Sequence, residues 1–285
     1  MRKKSYFHSS RKKNSHGSHE GVTAKKHFGQ HFLKDETIAQ AIGDTLTLEG
    51  YTDVIEIGPG TGVLTKYLLE KDIALCVMDI DQESIDFLNT AFTLRHSKHT
   101  TKEGKFTVMY QDFLKCDIAA LYGDKKIAIT GNFPYNISSQ IVFKLLELDN
   151  AIELTGMFQK EVAQRICNPS GSKDYGVISV LIQAYFDAEY LFTVPPEVFN
   201  PPPKVDSGVI RLRRKENQEL GCDPKLFKQV VKASFGQRRK TLRNSLKSFQ
   251  LPVEVIAKEP VFTKRPEQLD VKDFITLTQL IASHQ

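Results

Sequence analysis

From Asp53 onward the chain alternates short apolar runs with longer amphipathic ones, and this alternation restricts its fold more than any other feature. "DVIEIG", "IALCVMDI", "KFTVMYQD", "KKIAITG" and "AIELTGMFQ" predict strands, being short, β-rich and largely apolar. "GVLTKYLLEK", "DQESIDFLNTAFTLR", "SSQIVFKLLEL" and "KEVAQRICN" predict helices among them. Strands that alternate with helices pair in parallel, because each helical crossover returns the chain to the same end of the sheet. The expected fold class is therefore α/β, a mostly parallel sheet with helices on both faces. Later the pattern changes. "YGVISVLIQAYF" predicts one more helix, while "AEYLFTV" and "SGVIRLRR" are strands separated only by the Pro-rich "PPEVFNPPPKVD". Two strands without a helix between them predict an antiparallel last strand.

After Glu216 only helical patterns remain, in "PKLFKQVVKASF", "RRKTLRNSLKSF" and "EQLDVKDFITLTQLIA". The expected organisation is a basic disordered tail over 1–24, an α/β domain over 25–216 and a small all-helical domain over 217–285. Charge follows the same divisions. The net charge is +7 over residues 1–27, −10 over 28–200, +9 over 201–249 and −1 over 250–285. Cationic segments flanking an acidic body suit a protein that docks on a polyanion.

No run approaches the roughly 18 apolar residues needed to span a bilayer, so no membrane partner is expected. The basic start "MRKKSYFHSSRKKNSHGSHEG" has no apolar stretch after it, which is not the pattern of a secretory signal. Cys76, Cys116, Cys167 and Cys222 are far apart and form no C-x-x-C pair, so neither a metal site nor a disulfide framework is expected. A cytoplasmic location fits that usage.

The loop in "VIEIGPGTGVLTK" has glycines at 58, 60 and 62, between a strand and a helix. Gly58 and Gly60 let the backbone turn tightly and let a ligand approach it. A dinucleotide fingerprint needs its third glycine at 63, which is Val63, so a nicotinamide oxidoreductase is disfavoured. Without G-K-[ST], so is a nucleoside triphosphatase. Asp79, nineteen residues after Gly60, closes the next strand, where a carboxylate can accept from both ribose hydroxyls. Asp112 ends the third, where it can meet an adenine amine. The set resembles the class I S-adenosyl-L-methionine methyltransferase site, which binds a nucleoside without a pyrophosphate.

The fourth strand runs into Asn132-Phe133-Pro134-Tyr135 at the same edge. An adenine amine is a poor nucleophile because its lone pair is delocalised into the ring. Two acceptors that hold its N–H groups let it pyramidalise, and the Asn132 side-chain oxygen and Pro134 carbonyl are suitable. Tyr135 offers a ring on which an extruded base can stack. Phe133 is assigned to packing. A plain strand end with a Pro turn and a helix cap at Ser138 or Ser139 fits the same letters.

"NFPY" resembles the N-[LIF]-P-Y motif of RNA adenine-N6 dimethyltransferases. With "KKHFGQHFLKD", "GPGTGVLT", "VFNPPPKVDSGVIRL" and "FGQRRKTLRNSL", the chain resembles the ribosomal RNA small-subunit adenine dimethyltransferase A family from Lys25 to its end. The resemblance implies a Rossmann-like class I methyltransferase sheet and successive methyl transfer to two adjacent adenosines near the 3′ end of small-subunit ribosomal RNA. It implies that Gln30, His31 and Leu33 help close over the cofactor with Gly58, Gly60, Asp79, Asp112 and Asn132. Phe199 would be a second aromatic surface for the base, opposite Tyr135. His31 stands where the commoner family residue is Asn, and Asp79 where Glu is usual.

Lys204, Arg238, Arg239, Lys240, Arg243 and Lys247 are the expected RNA contacts, most of them on one broad helical face. The implied partners are small-subunit rRNA and the assembling 30S particle, met by a monomer. Two alternatives stay open: a large-subunit rRNA methyltransferase of the macrolide-resistance type, and an RNA-binding assembly factor without catalysis.

Overall fold

The computed structural model describes residues 18–19, 22–96, 106–217, 219–237 and 239–285. Seven strands form one sheet: β1 Asp53–Ile57, β2 Ala74–Asp79, β3 Phe106–Tyr110, β4 Ile127–Asn132, β5 Ala151–Gln159, β6 Phe186–Val194 and β7 Ser207–Arg214. Their spatial order is β3-β2-β1-β4-β5-β7-β6. Neighbours among β1 to β5 are parallel. The last strand, β7, is antiparallel to both β5 and β6 and lies between them. The fold class expected from the alternation is the one that forms.

Helices are α1 Glu36–Gly43, α2 Thr65–Leu68, α3 Gln82–His96, α4 Ile118–Tyr122, α5 Ser138–Leu145, α6 Lys160–Cys167, α7 Val177–Tyr185, α8 Pro224–Gly236, α9 Leu242–Ser245, α10 Val253–Lys258 and α11 Val271–Ala282. Successive strand residues face opposite sides of the sheet, so each strand feeds two cores. Ile55 and Ile57 of β1 join Ile141 and Leu145 of α5 and Ala163 and Ile166 of α6. Val54 joins Ile42 of α1, Leu68 of α2 and Leu88 and Phe92 of α3 on the other face. A third cluster holds Phe227, Val230, Leu242, Phe262, Phe274 and Leu277 together with Val180, Leu181 and Ala184 of α7. The C-terminal helices thus share their core with a helix of the α/β body.

Several elements differ from expectation. The helix after the glycine loop is only four residues, because residues 59–62 first make a turn closed by Gly62 N–H to Pro59 O at 2.9 Å. The predicted helix over "RRKTLRNSLKSF" is not continuous. Thr241 is extended (φ −70°, ψ 159°), and the Leu242 N–H bonds to Lys264 O at 2.9 Å, a tertiary partner that outcompetes a local helical one. Helix α5 is capped at Ile137 without a side-chain bond; Ser138 instead donates to Tyr135 O at 3.2 Å. At the start of the chain, Val22 and Ala24 do not belong to a tail as expected, but are buried with Phe32 against Phe87. Their alternation turns both toward the same cluster. Residues 1–17 and 20–21 of that expected tail lie outside the described residues. Among the described residues no helix is long and apolar enough to cross a membrane.

Candidate active site

The parallel strands end at one edge, and residues at or just beyond the ends of β1 to β4 line one cleft. Gly58 and Gly60 follow β1, Asp79 ends β2, Asp112 lies just beyond β3, and Asn132 ends β4. Pro134 and Tyr135 line the same cleft, as do Gln30, His31 and Leu33 from an N-terminal strap. Sequence positions more than a hundred residues apart are therefore brought together as expected. Close packing explains the glycines. A Cβ at Gly60 (φ +56°) would stand 3.0 Å from the Phe32 ring of the strap. A Cβ at Gly62 (φ +76°) would stand 2.4 Å from the Phe92 ring of α3.

The strap is clipped to the turn after β2. The Lys25 ammonium pairs with the fully buried Asp81 carboxylate and, at 3.2 Å, with Glu83. Gln30 bridges the same groups: its Oε1 accepts from Lys25 N at 2.8 Å and its Nε2 donates to Asp81 Oδ2 at 2.9 Å. Both ends of the Gln30 amide are thus committed within the protein. Burial alone would raise the Asp81 pKa, but the bonds from Lys25 and Gln30 outweigh it and hold that carboxyl below its ordinary value.

Two carboxyls behave in the opposite way. Asp79 is pushed up to about 6 by burial, opposed by backbone N–H groups of Asp81, Gly60 and Ile80. Glu56, on the Val54 face of β1, is 1 % exposed and lines the cleft. Burial raises it to about 8, against a 2.7 Å bond from the Thr65 hydroxyl to its Oε2. Sequence reasoning missed Glu56; the available signal was one acid in an otherwise apolar run. Asp112 Oδ1 accepts from Leu114 N at 2.9 Å, with Lys115 3.5 Å from the other oxygen.

At the end of β4 the Asn132 Nδ2 donates to His31 O at 2.9 Å. A carbonyl can only accept, so this bond fixes which way the amide faces. Among the described residues no donor reaches Oδ1. Pro134 O accepts from Ile137 N at 3.1 Å, which uses one of its two lone pairs. Tyr135 shares a 2.5 Å bond with the Ser207 hydroxyl, and burial raises its pKa, so the phenol stays neutral. Phe133 is 1 % exposed and packs on Phe158, with ring centroids 4.8 Å apart. Phe199 is not brought to the cleft lining. It is 1 % exposed in the core with Leu33, its strand partner, so no ring face is open opposite Tyr135.

The ribosomal RNA adenine dimethylase family matches residues 21–274 of this sequence. The chain belongs to that family. The chain is 56% identical over 263 residues to ribosomal RNA small subunit methyltransferase A of Flavobacterium johnsoniae, covering 92% of this chain and 97% of that one. It is 54% identical over 267 residues to the protein of that name from Cytophaga hutchinsonii, covering 92% and 99%. Among solved structures it resembles a dimethyladenosine transferase from Plasmodium falciparum, with a TM-score of 0.75, 26% identity and coverage of 89% and 98%. Its likeness to the 23S rRNA methyltransferase ErmE, at a TM-score of 0.64, 24% identity and coverage of 88% and 99%, is one of fold.

The expected RNA-facing side chains Lys204, Arg239, Lys240, Arg243 and Lys247 are all exposed, and Arg238 lies outside the described residues. They do not share one helical face. Arg239 and Lys240 occupy the turn between α8 and α9, Arg243 is on α9, Lys247 begins a 3₁₀ turn, and Lys204 is in the Pro-rich loop before β7.

Proposed function

We propose that this chain catalyses the S-adenosylmethionine-dependent N6,N6-dimethylation of two adjacent adenosines near the 3′ end of small-subunit rRNA, as a cytoplasmic monomer acting on the assembling 30S particle. The observation that carries the proposal is the orientation of Asn132, whose side-chain oxygen is left as an acceptor in the cleft. The cleft suits a nucleoside cofactor. Its glycine loop lacks the Cβ atoms that would narrow it, and Asp79 provides a carboxylate for vicinal hydroxyls. Gly58, Gly60, Asp79 and Asp112 would hold the cofactor, with Leu33 and the His31 backbone above it. When bound, S-adenosylmethionine supplies an electrophilic methyl group.

The protein's own part is positioning. Asn132 Oδ1 and Pro134 O would accept the two amine hydrogens of adenine and draw its lone pair out of the ring. Since neither is a strong base, the proton shed after transfer leaves to solvent. The neutral Tyr135 ring would carry the flipped base, its hydroxyl held by Ser207. After a first methylation one N–H remains, and one acceptor suffices to orient it.

We assign residues 25–216 to catalysis, with the strap extending back to Val22, and the helices after 217 to RNA contact through Arg239, Lys240, Arg243 and Lys247. Arg238 is also assigned to RNA contact, and Lys204 to the RNA beside the cleft. Phe199 is assigned to support of Leu33. Primer extension across the 3′ end of small-subunit RNA from a strain lacking the gene tests the proposal. Loss of the two adjacent stops supports it, and undiminished stops contradict it.

A further inference from the structure

His31 sits where three separate parts of the site meet. Its carbonyl accepts the Asn132 amide at 2.9 Å. Its ring lies beside Tyr135, with centroids 5.5 Å apart and planes tilted by 31°. Its Nδ1 lies 2.7 Å from Pro201 O, and because a carbonyl only accepts, Nδ1 carries the proton of that bond. Pro201 opens the loop that leads through Lys204 to β7. That loop is tied down again at its far end, where Asp206 pairs with Lys160 at 3.0 Å and Ser207 bonds Tyr135. Strand pairing of Phe32–Leu33 with Phe199–Asn200 holds the strap against the start of the same loop. The contacts close a circuit from His31 to Pro201, along the loop to Ser207, and through Tyr135 back to His31.

All the side-chain contacts in this circuit lie on the Tyr135 and Pro-rich-loop side. We infer that the His31 side chain is a positioning residue for the target base and its RNA strand, anchoring the Pro201–Lys204 loop through Nδ1 and bracing the Tyr135 ring, and that it takes no part in holding the cofactor. Its backbone carbonyl separately orients Asn132 and is indifferent to the side chain. Two substitutions divide the functions of the ring. In His31→Asn an amide N–H can take the place of Nδ1–H, keeping the loop anchor and removing the brace. In His31→Phe the brace remains and the donor is absent.

Resting on the dimethyltransferase function proposed above, the test measures methyl transfer to small subunits isolated from a strain lacking the gene, together with cofactor binding by calorimetry. His31→Ala is expected to lower kcat/KM for the particle about tenfold, the scale of a missing hydrogen bond and ring brace, while the cofactor Kd changes less than twofold. His31→Asn is expected to restore the KM for the particle but not kcat, and His31→Phe to restore kcat but not KM. The split is one that a general loosening of packing does not produce, and thermal melts of each variant confirm the fold. Should His31→Ala fail to fold, the Asn and Phe variants carry the same comparison.

Cofactor affinity that falls in step with transfer would overturn the inference, as would unchanged kcat and KM in His31→Ala. An inactive wild-type protein would instead refute the function proposed above.

Discussion

Asn132 and His31 are joined by a 2.9 Å hydrogen bond from the side-chain amide of one to the main-chain carbonyl of the other. The bond turns the Asn132 oxygen into the cleft and joins the end of β4 to the N-terminal strap. Asn132→Ala is expected to lower methyl transfer at least 100-fold, the scale of removing an oriented acceptor from the transition state. Cofactor affinity should stay within a few-fold of wild type in calorimetry, because the glycine loop, Asp79 and Asp112 are untouched. Asn132→Asp should be as damaging, since a carboxylate cannot donate to His31 O and the strap interaction becomes repulsive. Near-wild-type transfer in either variant would exclude the acceptor role.

Cofactor binding should depend on pH through Asp79. Its pKa of about 6 in the folded protein means that the carboxylate proposed to accept from ribose is present at pH 7.5 and lost below pH 6. Affinity should therefore be level above pH 7 and weaken toward pH 5, by at most about tenfold per pH unit for a single proton. Asp79→Asn should bind more weakly at pH 7.5 and show a flatter profile. Calorimetric titrations at pH 5.5, 6.5 and 7.5 read both effects.

Glu56 makes a separate prediction about stability. Its folded pKa, about 8, lies above the ordinary value of 4.5, so the folded state holds this proton more tightly than the unfolded state. The sign follows: folding is favoured most below pH 4.5 by this group, and that contribution is lost as pH rises through 8. Glu56→Gln removes the buried charge and keeps an acceptor for Thr65. In the cofactor-free protein it should stabilise by about 2 kcal/mol at pH 9 and change little at pH 5, as followed by urea denaturation. Equal effects at both pH values would contradict the assignment.

RNA affinity should fall steeply with salt, because phosphate contacts release counterions. Replacing Arg239, Lys240, Arg243 and Lys247 with Ala should reduce the slope of log Kd against log salt by roughly 0.7 to 0.9 for each phosphate no longer neutralised. Cofactor binding should be unaffected. An unchanged slope would remove the C-terminal turn and helix from the RNA-facing surface.

Much of the site was legible in the sequence because strand ends are. Once five strands are read as parallel, Gly58, Asp79, Asp112 and Asn132 must emerge at one edge, whatever the details of packing. Pairings between distant segments left no such trace. The pairing of Phe32–Leu33 with Phe199–Asn200 has no periodicity to announce it, and it is what buries Phe199 and brings His31 to Pro201. Glu56 was hidden for a different reason. An acid in a buried strand is uninformative until the sheet shows that its face, shared with Val54, opens into the cleft. The basic segment misled because its helical spacing is real in sequence, while the Leu242 to Lys264 bond and the extended Thr241 break it in space.

The most direct test gives the purified protein S-adenosylmethionine labelled in its methyl group and small ribosomal subunits from a strain lacking the gene. The modified nucleotides are then mapped by nuclease digestion and mass spectrometry. The predicted result is label in N6,N6-dimethyladenosine at two adjacent positions near the 3′ end of the small-subunit RNA, abolished by Asn132→Ala. Label elsewhere in the small-subunit RNA, or binding to the particle with no transfer, would contradict it.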